Sequence, residues 1–386
     1  MDNFEIEVMD SSLTPVEGAV IKAIGVGGGG GNMINHMVGQ KISGISLVSA
    51  NTDAQALDSS LAPYKIQIGK NVSRGRGCGM VPDRGRESAQ EAYEDIKESI
   101  NGSDLVFIAA GLGGGTGTGA APVVAQAAKD IGALTVAVVT TPFKFEGRKR
   151  TKLALEGLEE LKEVSDSIIV IHNERILSIA EKNLGVKESF KLVDDVLAQA
   201  VSGISNVIIS HSASDINLDF ADVRTVMSHK GLALMGVGHS TGANAAYEAA
   251  TEAISSPLLG DISIKGAQGV LVHFHIHPDY PLLQISEAMN TIEEYADENA
   301  SVIFGTTTDV SMAEDEVRIT IVATGFDKEA LSSDNGSSSS SNSTKANQPA
   351  NTTKEQPVRR PNVIKIVGGE NESYYDTPTF LRKQRD

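Results

Sequence analysis

The chain has 386 residues, 40% of them hydrophobic, which is enough for two or three domains with sizeable cores. Its 33 Lys and Arg against 50 Asp and Glu give a net charge of −17, which argues against a nucleic-acid partner. The single cysteine, Cys78, excludes a disulfide within the chain and a cysteine zinc site.

The N-terminal segment and the lack of long apolar runs predict a cytoplasmic protein. The first ten residues, MDNFEIEVMD, are acidic and do not have the pattern of a signal peptide. We expect residues 1–15 to form a mobile leader. No run of 18 consecutive apolar residues occurs, so no direct membrane span is expected.

The first predicted strand, residues 19–26, runs into a glycine loop where a helix is expected to begin. Glycines in such a loop let a phosphate group approach the backbone and the positive end of the helix dipole. The expected contacts are Gly28, Gly29, Gly30, Gly31 and Asn32.

The same loop fits a dinucleotide-binding fingerprint. From Gly25 the sequence is GVGGGG, which matches G-x-G-x-x-G, and Asp53 follows the next predicted strand, residues 45–50, about where a ribose-binding acid is expected. A dinucleotide-dependent oxidoreductase is therefore one open alternative. A Walker A loop is excluded, because no Lys-Ser/Thr pair follows the glycines.

The middle of the chain alternates between strand and helix patterns. Strands are predicted at residues 64–68, 104–110 and 134–139, with helices at residues 83–100 and 120–129. This alternation predicts an α/β protein with a parallel, doubly wound sheet.

The most informative segment is GLGGGTGTG, residues 111–119, which joins one of these strands to the following helix and has six glycines in nine positions. A plain turn needs one or two glycines, whereas free N–H groups at a helix N-terminus favour a bound anion. Gly115, Thr116 and Gly117 are the expected phosphate contacts, and the hydroxyls of Thr116 and Thr118 are expected to donate to phosphate oxygens.

A cluster of charges follows the strand at residues 134–139. Glu146 precedes Arg148, Lys149 and Arg150 at the start of a helix predicted to run to about Val164. Cations in the first turn oppose the helix dipole, so a phosphate or ribose role is favoured over a merely solvated face.

The long helix predicted at residues 187–210 carries Phe190 and Asp194 on one face, because they are four residues apart. A carboxylate can accept both N1–H and the exocyclic amino group of guanine, and an aromatic ring one turn away can stack on the base. Spacing alone favours the simpler explanation of a core Phe beside an exposed Asp.

The segment from residue 220 predicts a second domain. Helices are expected at residues 220–228, 243–255 and 282–297, and strands at residues 231–238, 269–276, 301–308 and 316–324. One of these strands carries three alternating histidines, His273, His275 and His277. Side chains crowded in this way on one strand are poorly placed for tetrahedral coordination, so no metal site is expected.

The end of the chain changes composition. Residues 327–361 are rich in Ser, Asn, Thr, Lys and Pro and predict a disordered linker. Residues 376–384 carry the apolar pair Phe380-Leu381 with basic neighbours, which is typical of a peptide that folds on a partner. A frayed tail explains this pattern equally well.

The segment GGGTGTG, residues 113–119, resembles the signature of the tubulin/FtsZ superfamily of GTP-binding filament proteins, and the likeness to its bacterial FtsZ branch runs from about residue 19 to residue 326 and returns at the C-terminus. The resemblance implies GTP or GDP with Mg²⁺, head-to-tail self-polymerisation, and a division ring at mid-cell. It also implies a Rossmann-like GTPase domain, a long central helix, a smaller tubulin-like α+β domain, and docking of division proteins such as FtsA on residues 376–384.

The resemblance also assigns roles to individual residues. It places Glu146 at the ribose hydroxyls, Arg150 on the phosphate side, Asn173 at the base or ribose, and Phe190 and Asp194 at guanine. It places the Gly-rich loop at residues 74–79 near the terminal phosphate, although Arg76 stands where an apolar residue is expected.

The catalytic candidates implied by the resemblance are Asn217, Asp219 and Asp222, which would enter the nucleotide site of the next subunit. There the carboxylates would position water for attack on the γ-phosphate. Helix capping is the alternative role for both acids. A nucleotide-binding scaffold without turnover is the alternative function.

The expected domain organisation follows these boundaries. Its parts are the leader (1–15), the GTP-binding domain (16–186), the central helix and catalytic loop (187–219), the C-terminal domain (220–326), the linker (327–361) and the partner-binding peptide (362–386).

Overall fold

The structure is a computed structural model of the chain, and it describes residues 18–179, 185–209, 215–216, 218–256, 258–259 and 264–326. The predicted leader, linker, partner-binding peptide and catalytic Asn217 lie outside the described residues.

Ten strands form the sheet of the described part, in the order β3-β2-β1-β4-β5-β6-β7-β10-β8-β9. Their bounds are β1 (Ile21–Val26), β2 (Ile45–Asn51), β3 (Tyr64–Gln67), β4 (Leu105–Gly111), β5 (Leu134–Thr141), β6 (Ser167–His172), β7 (Gly231–Thr241), β8 (Gly269–Ile276), β9 (Ser301–Thr308) and β10 (Glu316–Thr324).

The α-helices connect and cover these strands. Their bounds are α1 (Gly27–Gly39), α2 (Ala54–Asp58), α3 (Pro82–Glu91), α4 (Tyr93–Ile100), α5 (Thr116–Asp130), α6 (Arg148–Val164), α7 (Asn173–Ile179), α8 (Val186–Ile209), α9 (Phe220–Met227), α10 (Ala245–Ile254) and α11 (Leu282–Tyr295).

The first half of the sheet is parallel and covered on both faces, which confirms the predicted α/β class. Strands β1 to β6 pair in parallel, as does the start of β7 with β6. The apolar side chains of α1 and α8 pack on one face, and those of α4, α5 and α6 pack on the other. Because the strands are parallel, their carboxyl ends meet at one edge, and this edge is where a ligand is expected.

Strand β7 joins the two halves of the sheet. Its first residues, from Gly231 to Ala233, pair in parallel with β6, and the segment from Leu234 to Thr241 pairs antiparallel with β10. A third apolar core lies between α10, α11 and the strands β8 and β10. All the described residues belong to one compact unit, so the predicted boundaries at residues 186 and 219 stay predictions.

Helix α8 is the central helix, as predicted. It packs against α1, β5 and the strands β8, β9 and β10, so it contacts both halves of the sheet. Its segment Lys187–Ile209 is long and apolar enough to cross a membrane, but most of it is buried in the core of the protein. The apolar composition of α8 is therefore explained by packing.

Several predicted bounds were wrong, each for a physical reason. The single helix expected at residues 83–100 is two helices, because the backbone at Ala92 leaves the helical region with φ −105° and ψ 21°. Helix α5 begins at Thr116, inside its glycine loop and not at residue 120 as predicted, because the adjoining strand positions that turn despite the low helix propensity of glycine. Helix α1 begins at Gly27, in the glycine loop where a helix start was predicted. The short helices α2 and α7 have too few turns for a periodic apolar pattern, so neither was predicted.

Candidate functional site

A cavity of about 350 Å³ lies at the carboxyl ends of β1, β4, β5 and β6. This volume is within the usual range for small-molecule sites. Its wall consists of Gly28, Gly29, Asn32, Gly79, Gly111, Leu112, Gly114, Gly115, Thr116, Gly117, Thr140, Pro142, Glu146, Arg150, Asn173, Phe190, Val193, Asp194 and Leu197. Eleven of the thirteen predicted ligand contacts are in this set, and Gly30 and Gly31 are not.

Two helix N-termini converge on the cavity, because α1 and α5 begin directly beside it. Only glycine permits this approach. A Cβ on Gly29 would lie 3.0 Å from the Cα of Gly111, and one on Gly117 would lie 2.5 Å from the Gly111 carbonyl oxygen. The paired helix dipoles and free N–H groups make this end of the cavity suited to phosphate.

The glycines around the cavity have two different functions. Gly28 and Gly114 have no atom within 4 Å of a built Cβ, so they leave space on the cavity wall. Gly30 and Gly31 are buried behind the wall, and a Cβ on Gly30 would lie 2.2 Å from the Ala109 carbonyl oxygen. The structure therefore does not place these two predicted contacts on the cavity wall, and it explains Gly30 by helix–strand packing.

The threonines of the glycine loop also differ. The Thr116 hydroxyl lies on the cavity wall, 2.6 Å from the hydroxyl of Thr52. The Thr118 hydroxyl is buried and accepts a hydrogen bond from the Gly113 N–H at 2.9 Å. Thr118 is therefore not on the cavity wall, and its hydroxyl oxygen holds the loop.

At the start of α6, only one of the three cations reaches the cavity. Arg150 forms an ion pair with Glu146, and the other Glu146 oxygen accepts a hydrogen bond from the Phe143 N–H at 3.0 Å. Arg148 and Lys149 are not on the wall. The ion pair therefore places one carboxylate and one guanidinium cation on the cavity wall.

Asn173 begins α7 and lies on the cavity wall with only 5% of its surface exposed. Its side-chain oxygen is buried and has no hydrogen-bond partner. A buried, unpartnered amide oxygen is costly, so this atom is suited to accept a hydrogen bond from a ligand.

Two neighbouring carboxylates of α8 have different surroundings. Asp195 lies 2.5 Å from the imidazole of His36 on α1. Asp194 lines the cavity and forms no hydrogen bond or ion pair within the described residues. Burial, reinforced by the charge of Asp195, raises the pKa of Asp194 to about 7. A half-buried, unpaired carboxylate on a cavity wall is suited to accept two hydrogen bonds from a ligand.

An aromatic cluster borders Asp194. Phe190, one helical turn earlier, lies on the cavity wall and packs edge-on against Phe143 with ring centroids 5.4 Å apart. Phe143 also stacks on the exposed Phe145 at 5.0 Å. Phe190 is therefore not a core residue, and its exposed ring surface is available to a planar base.

The predicted catalytic acids lie far from this cavity within one chain. Asp219 caps α9 by accepting a hydrogen bond from the Ala221 N–H, and Asp222 lies in the first turn. Arg224 of the same helix donates to the carbonyl of Gly132, just before β5 begins. The cavity is at the other end of β5, about 25 Å away for eight residues at roughly 3.3 Å each.

Several wall residues were missed, among them Leu112, Thr140, Pro142, Val193 and Leu197. Thr140 and Pro142 end a parallel strand, and that position was a usable signal for the site. Val193 and Leu197 look like ordinary core residues of a helix, so the sequence gives no signal for them.

Asp53 and the three histidines have other contacts in the structure. The carboxylate of Asp53 accepts hydrogen bonds from Gln55 and Ala56 as the N-cap of α2, which leaves the predicted ribose role of an oxidoreductase without support. Of the three histidines, His273 is buried against the Thr307 hydroxyl and His277 lies beyond the end of β8. The described residues contain no group of three or more metal ligands.

Together, a doubly wound sheet, two glycine-rich helix N-termini and an unpaired carboxylate on one cavity define a nucleotide-binding α/β protein. Residues 20–181 match the Tubulin/FtsZ family, GTPase domain, and residues 231–327 match the FtsZ family, C-terminal domain. The chain belongs to the Tubulin/FtsZ family.

Similar proteins extend along nearly the whole chain. The cell division protein FtsZ of Pseudomonas aeruginosa is 45% identical over 95% of this chain and 97% of its own length, and that of Helicobacter pylori is 42% identical over 100% and 98%. A solved structure described as "FtsZ dimer, empty (M. jannaschii)" has a TM-score of 0.76 at 45% identity, covering 81% of this chain and 90% of that one. The fold is shared with CetZ1 of Haloferax volcanii, with a TM-score of 0.69 at 20% identity.

Proposed function

We propose that the protein is a GTP-binding, self-polymerising GTPase of cell division, which works in the cytoplasm at the division site. The observation that carries the proposal is one cavity whose wall combines two glycine-rich helix N-termini with the unpaired carboxylate of Asp194. Family membership over most of the chain supports polymerisation, and one relative of known structure was solved as a dimer.

In this proposal the nucleotide spans the cavity from the glycine loops to α8. Backbone N–H groups of Gly115, Thr116 and Gly117 hold the phosphates, and Glu146 accepts hydrogen bonds from the ribose hydroxyls. Arg150, now paired with Glu146, supplies positive charge on the phosphate side. These roles use groups that already face the cavity.

The base end of the cavity supports guanine. Asp194, as a carboxylate, accepts hydrogen bonds from N1–H and from the exocyclic amino group, which adenine cannot provide together. The ring of Phe190 stacks on the base, and the unpartnered oxygen of Asn173 accepts a hydrogen bond from the base or ribose. Binding guanine offsets the cost of burying the Asp194 charge.

Hydrolysis is proposed to occur between two chains. The exposed acids Asp219 and Asp222, with Asn217, enter the cavity of the next copy, since within one chain α9 lies at the far end of β5. The carboxylates orient a water molecule, whose oxygen bonds to the γ-phosphorus while the bond to the bridging oxygen breaks, giving GDP and phosphate. Hydrolysis therefore requires assembly.

The residues around the cavity do not form a metal centre of their own. Its acids, Glu146 and Asp194, belong to the ribose and base ends, and no cluster of three or more metal ligands occurs in the described part of the chain. Mg²⁺, which is usually held largely by substrate phosphates, would enter with the nucleotide.

The remaining parts of the chain are proposed to divide the work. Residues 16–186 form the GTP-binding domain, residues 187–219 carry the central helix and catalytic loop, and residues 220–326 form the second domain. Residues 376–384 are proposed to dock division proteins such as FtsA, tethered by residues 327–361. No direct membrane span or nucleic-acid contact is proposed.

The test is phosphate release from GTP as a function of protein concentration, measured alongside light scattering with GTP or GDP. A shared active site gives a specific activity that rises steeply above the concentration where scattering with GTP appears. Scattering without phosphate release would instead support a scaffold without turnover. Binding of NAD in preference to GTP would support the oxidoreductase and reject the proposal.

A further inference from the structure

A second cavity, of about 520 Å³, lies beside the nucleotide cavity and collects three guanidinium groups. We call it the arginine cleft. Its lining is Asn71, Val72, Ser73, Arg74, Arg76, Gly77, Cys78, Gly79 and Arg84. All three arginines are exposed, and none of them forms an ion pair within the described residues. Arg84 donates only to the carbonyl of Val72, at 3.2 Å.

This concentration of unneutralised cations is unusual for the chain, whose net charge is −17. Like charges held together repel one another, so the cluster is best satisfied by an anion from outside the chain. The cleft contains no carboxylate that could serve this purpose.

The arginine cleft is built onto the phosphate end of the nucleotide cavity. Gly79 lines both cavities, and a Cβ on Gly115 would lie 2.4 Å from the Gly79 carbonyl oxygen. The Ser73 hydroxyl donates to the carbonyl of Thr52 at 3.0 Å, and the Thr52 hydroxyl contacts that of Thr116. The arginines are therefore presented at the same edge of the sheet as the phosphate-binding loop.

The matching anions are on α9, at the opposite end of the strands. Asp219 and Asp222 are exposed, and neither forms an ion pair within the described residues. In a head-to-tail stack these carboxylates approach the phosphate end of the next copy. Two carboxylates beside a triphosphate repel it, and adjacent guanidinium groups offset that repulsion while guiding the approach.

We propose that the guanidinium groups of the arginine cleft contact the carboxylates at the start of α9 of a second copy of this chain as these enter the adjoining nucleotide cavity, so that Arg74 and Arg76 are positioning residues of the subunit contact. The inference rests on the proposed function for the head-to-tail arrangement. Beyond that arrangement, it identifies the arginines that determine how strongly the chains assemble and how assembly depends on salt.

The experiment compares assembly thresholds by sedimentation with a slowly hydrolysed GTP analogue at several NaCl concentrations. The cleft variant carries Arg74→Gln with Arg76→Gln, and the α9 variant carries Asp219→Asn with Asp222→Asn, since Asn still caps a helix. Each is expected to raise the threshold about tenfold and to weaken its salt dependence, because two modest ion pairs are lost.

Combining the two variants separates a direct contact from two independent effects. If the groups meet, the combined protein has a threshold also about tenfold above wild type, whereas independent effects multiply to about a hundredfold. Lys65→Gln, which removes an exposed charge from β3, is the matched control and should leave the threshold unchanged.

Analogue binding by calorimetry below the threshold identifies the anion. Affinity within about twofold of wild type in the cleft variant supports a protein partner, since a lost phosphate contact would cost about tenfold. An unchanged threshold, multiplicative effects, or a large loss of nucleotide affinity overturns the inference while leaving the proposed function intact. Failure of the wild type to sediment rejects both.

Discussion

Asp194 and Asp195 are adjacent in the sequence but have different electrostatic surroundings. Asp195 is paired with His36, whereas Asp194 is partly buried, unpaired within the described residues, and subject to the charge of its neighbour. With a pKa of about 7, Asp194 would bind either a proton or the proposed guanine base near neutral pH.

This competition predicts a pH dependence of nucleotide binding. The ionised fraction of a group with a pKa of about 7 falls about tenfold between pH 8 and pH 6, so GTP affinity is expected to fall by about the same factor. Calorimetry across this range measures it. Asp194→Asn should bind GTP weakly, and its affinity should not change with pH in this window. Asp195→Asn should move the midpoint of the affinity change to lower pH, because it removes the charge that raises the pKa of Asp194. A flat profile in the wild type would contradict the assignment.

The stability of the nucleotide-free protein should depend on pH with a definite sign. Between pH 3.8 and about 7 the folded chain holds a proton on Asp194 that the unfolded chain has released. The contribution of this group to folding stability therefore declines as pH rises through that window. Urea unfolding of wild type and Asp194→Asn at several pH values isolates the effect, and an opposite trend in their difference would refute it.

At the scale of elements, the loop between β4 and α5 needs glycine for packing as well as for the proposed phosphate site. Gly113 has φ +96°, and a Cβ there would lie 2.8 Å from the Arg150 carbonyl oxygen and 3.3 Å from Pro142. It is absent from the cavity wall, whereas its neighbour Gly114 lies on that wall with open space around it.

We therefore expect Gly113→Ala and Gly114→Ala to separate folding from binding. Gly113→Ala should destabilise the fold by about 2 kcal/mol or more, because it combines a left-handed backbone with a close contact. Gly114→Ala should fold normally and bind GTP less tightly. Urea unfolding and calorimetry measure the two effects, with Gly39→Ala, at the open end of α1, as the control. Equal stability of the Gly113 and Gly114 variants would argue against this distinction.

Sequence patterns predicted best the strands, because their burial leaves a clear pattern of apolar residues. The buried parallel strands are continuous apolar runs, and β8, β9 and β10 were predicted at their observed bounds. The start of α5 inside its glycine loop was not predicted, because tertiary packing overrides propensity there. In the site, the glycine loops and, through the family resemblance, Asp194 were predicted from sequence and line the cavity, whereas Gly30 lies behind the wall, because one residue type serves both close packing and ligand approach.

At the scale of the whole molecule, the separation of the cavity from α9 gives a direct test of a shared active site. Asp222→Asn should bind GTP like the wild type and assemble above a raised threshold, but its turnover should fall steeply. Asp194→Ala should lack turnover because its own cavity binds GTP poorly. Mixed together, the two proteins should recover part of the activity, since one supplies an intact cavity and the other an intact α9.

The measurement is phosphate release from each protein and from the mixture at equal total concentration. The control is a mixture of Asp222→Asn with a protein carrying both substitutions, which can form no intact shared site. Full activity of Asp222→Asn alone rules out its catalytic role. No recovery in a mixture shown to co-assemble counts against a shared site.

The tail is expected to act independently of the described part of the chain. Removing residues 376–386 should leave GTP turnover and assembly within about twofold of the full chain, because the composition of residues 327–361 predicts a linker that decouples the two parts. Binding of division proteins such as FtsA should be lost. Turnover, sedimentation and a pull-down with the purified partner test this, and a strongly impaired GTPase would contradict the proposed division of work.

The placement of the nucleotide cavity and α9 at opposite ends of the same parallel strands gives the molecule a direction. Repeating such a unit in one orientation gives a stack with two unlike ends, and a contact of this kind that does not close into a ring continues indefinitely. A chain that can form the subunit contact at only one of its ends can join the stack, but no further chain can then add to it. Growth would therefore be arrested by traces of such a chain, at one end only, as a terminating nucleotide arrests the copying of a strand.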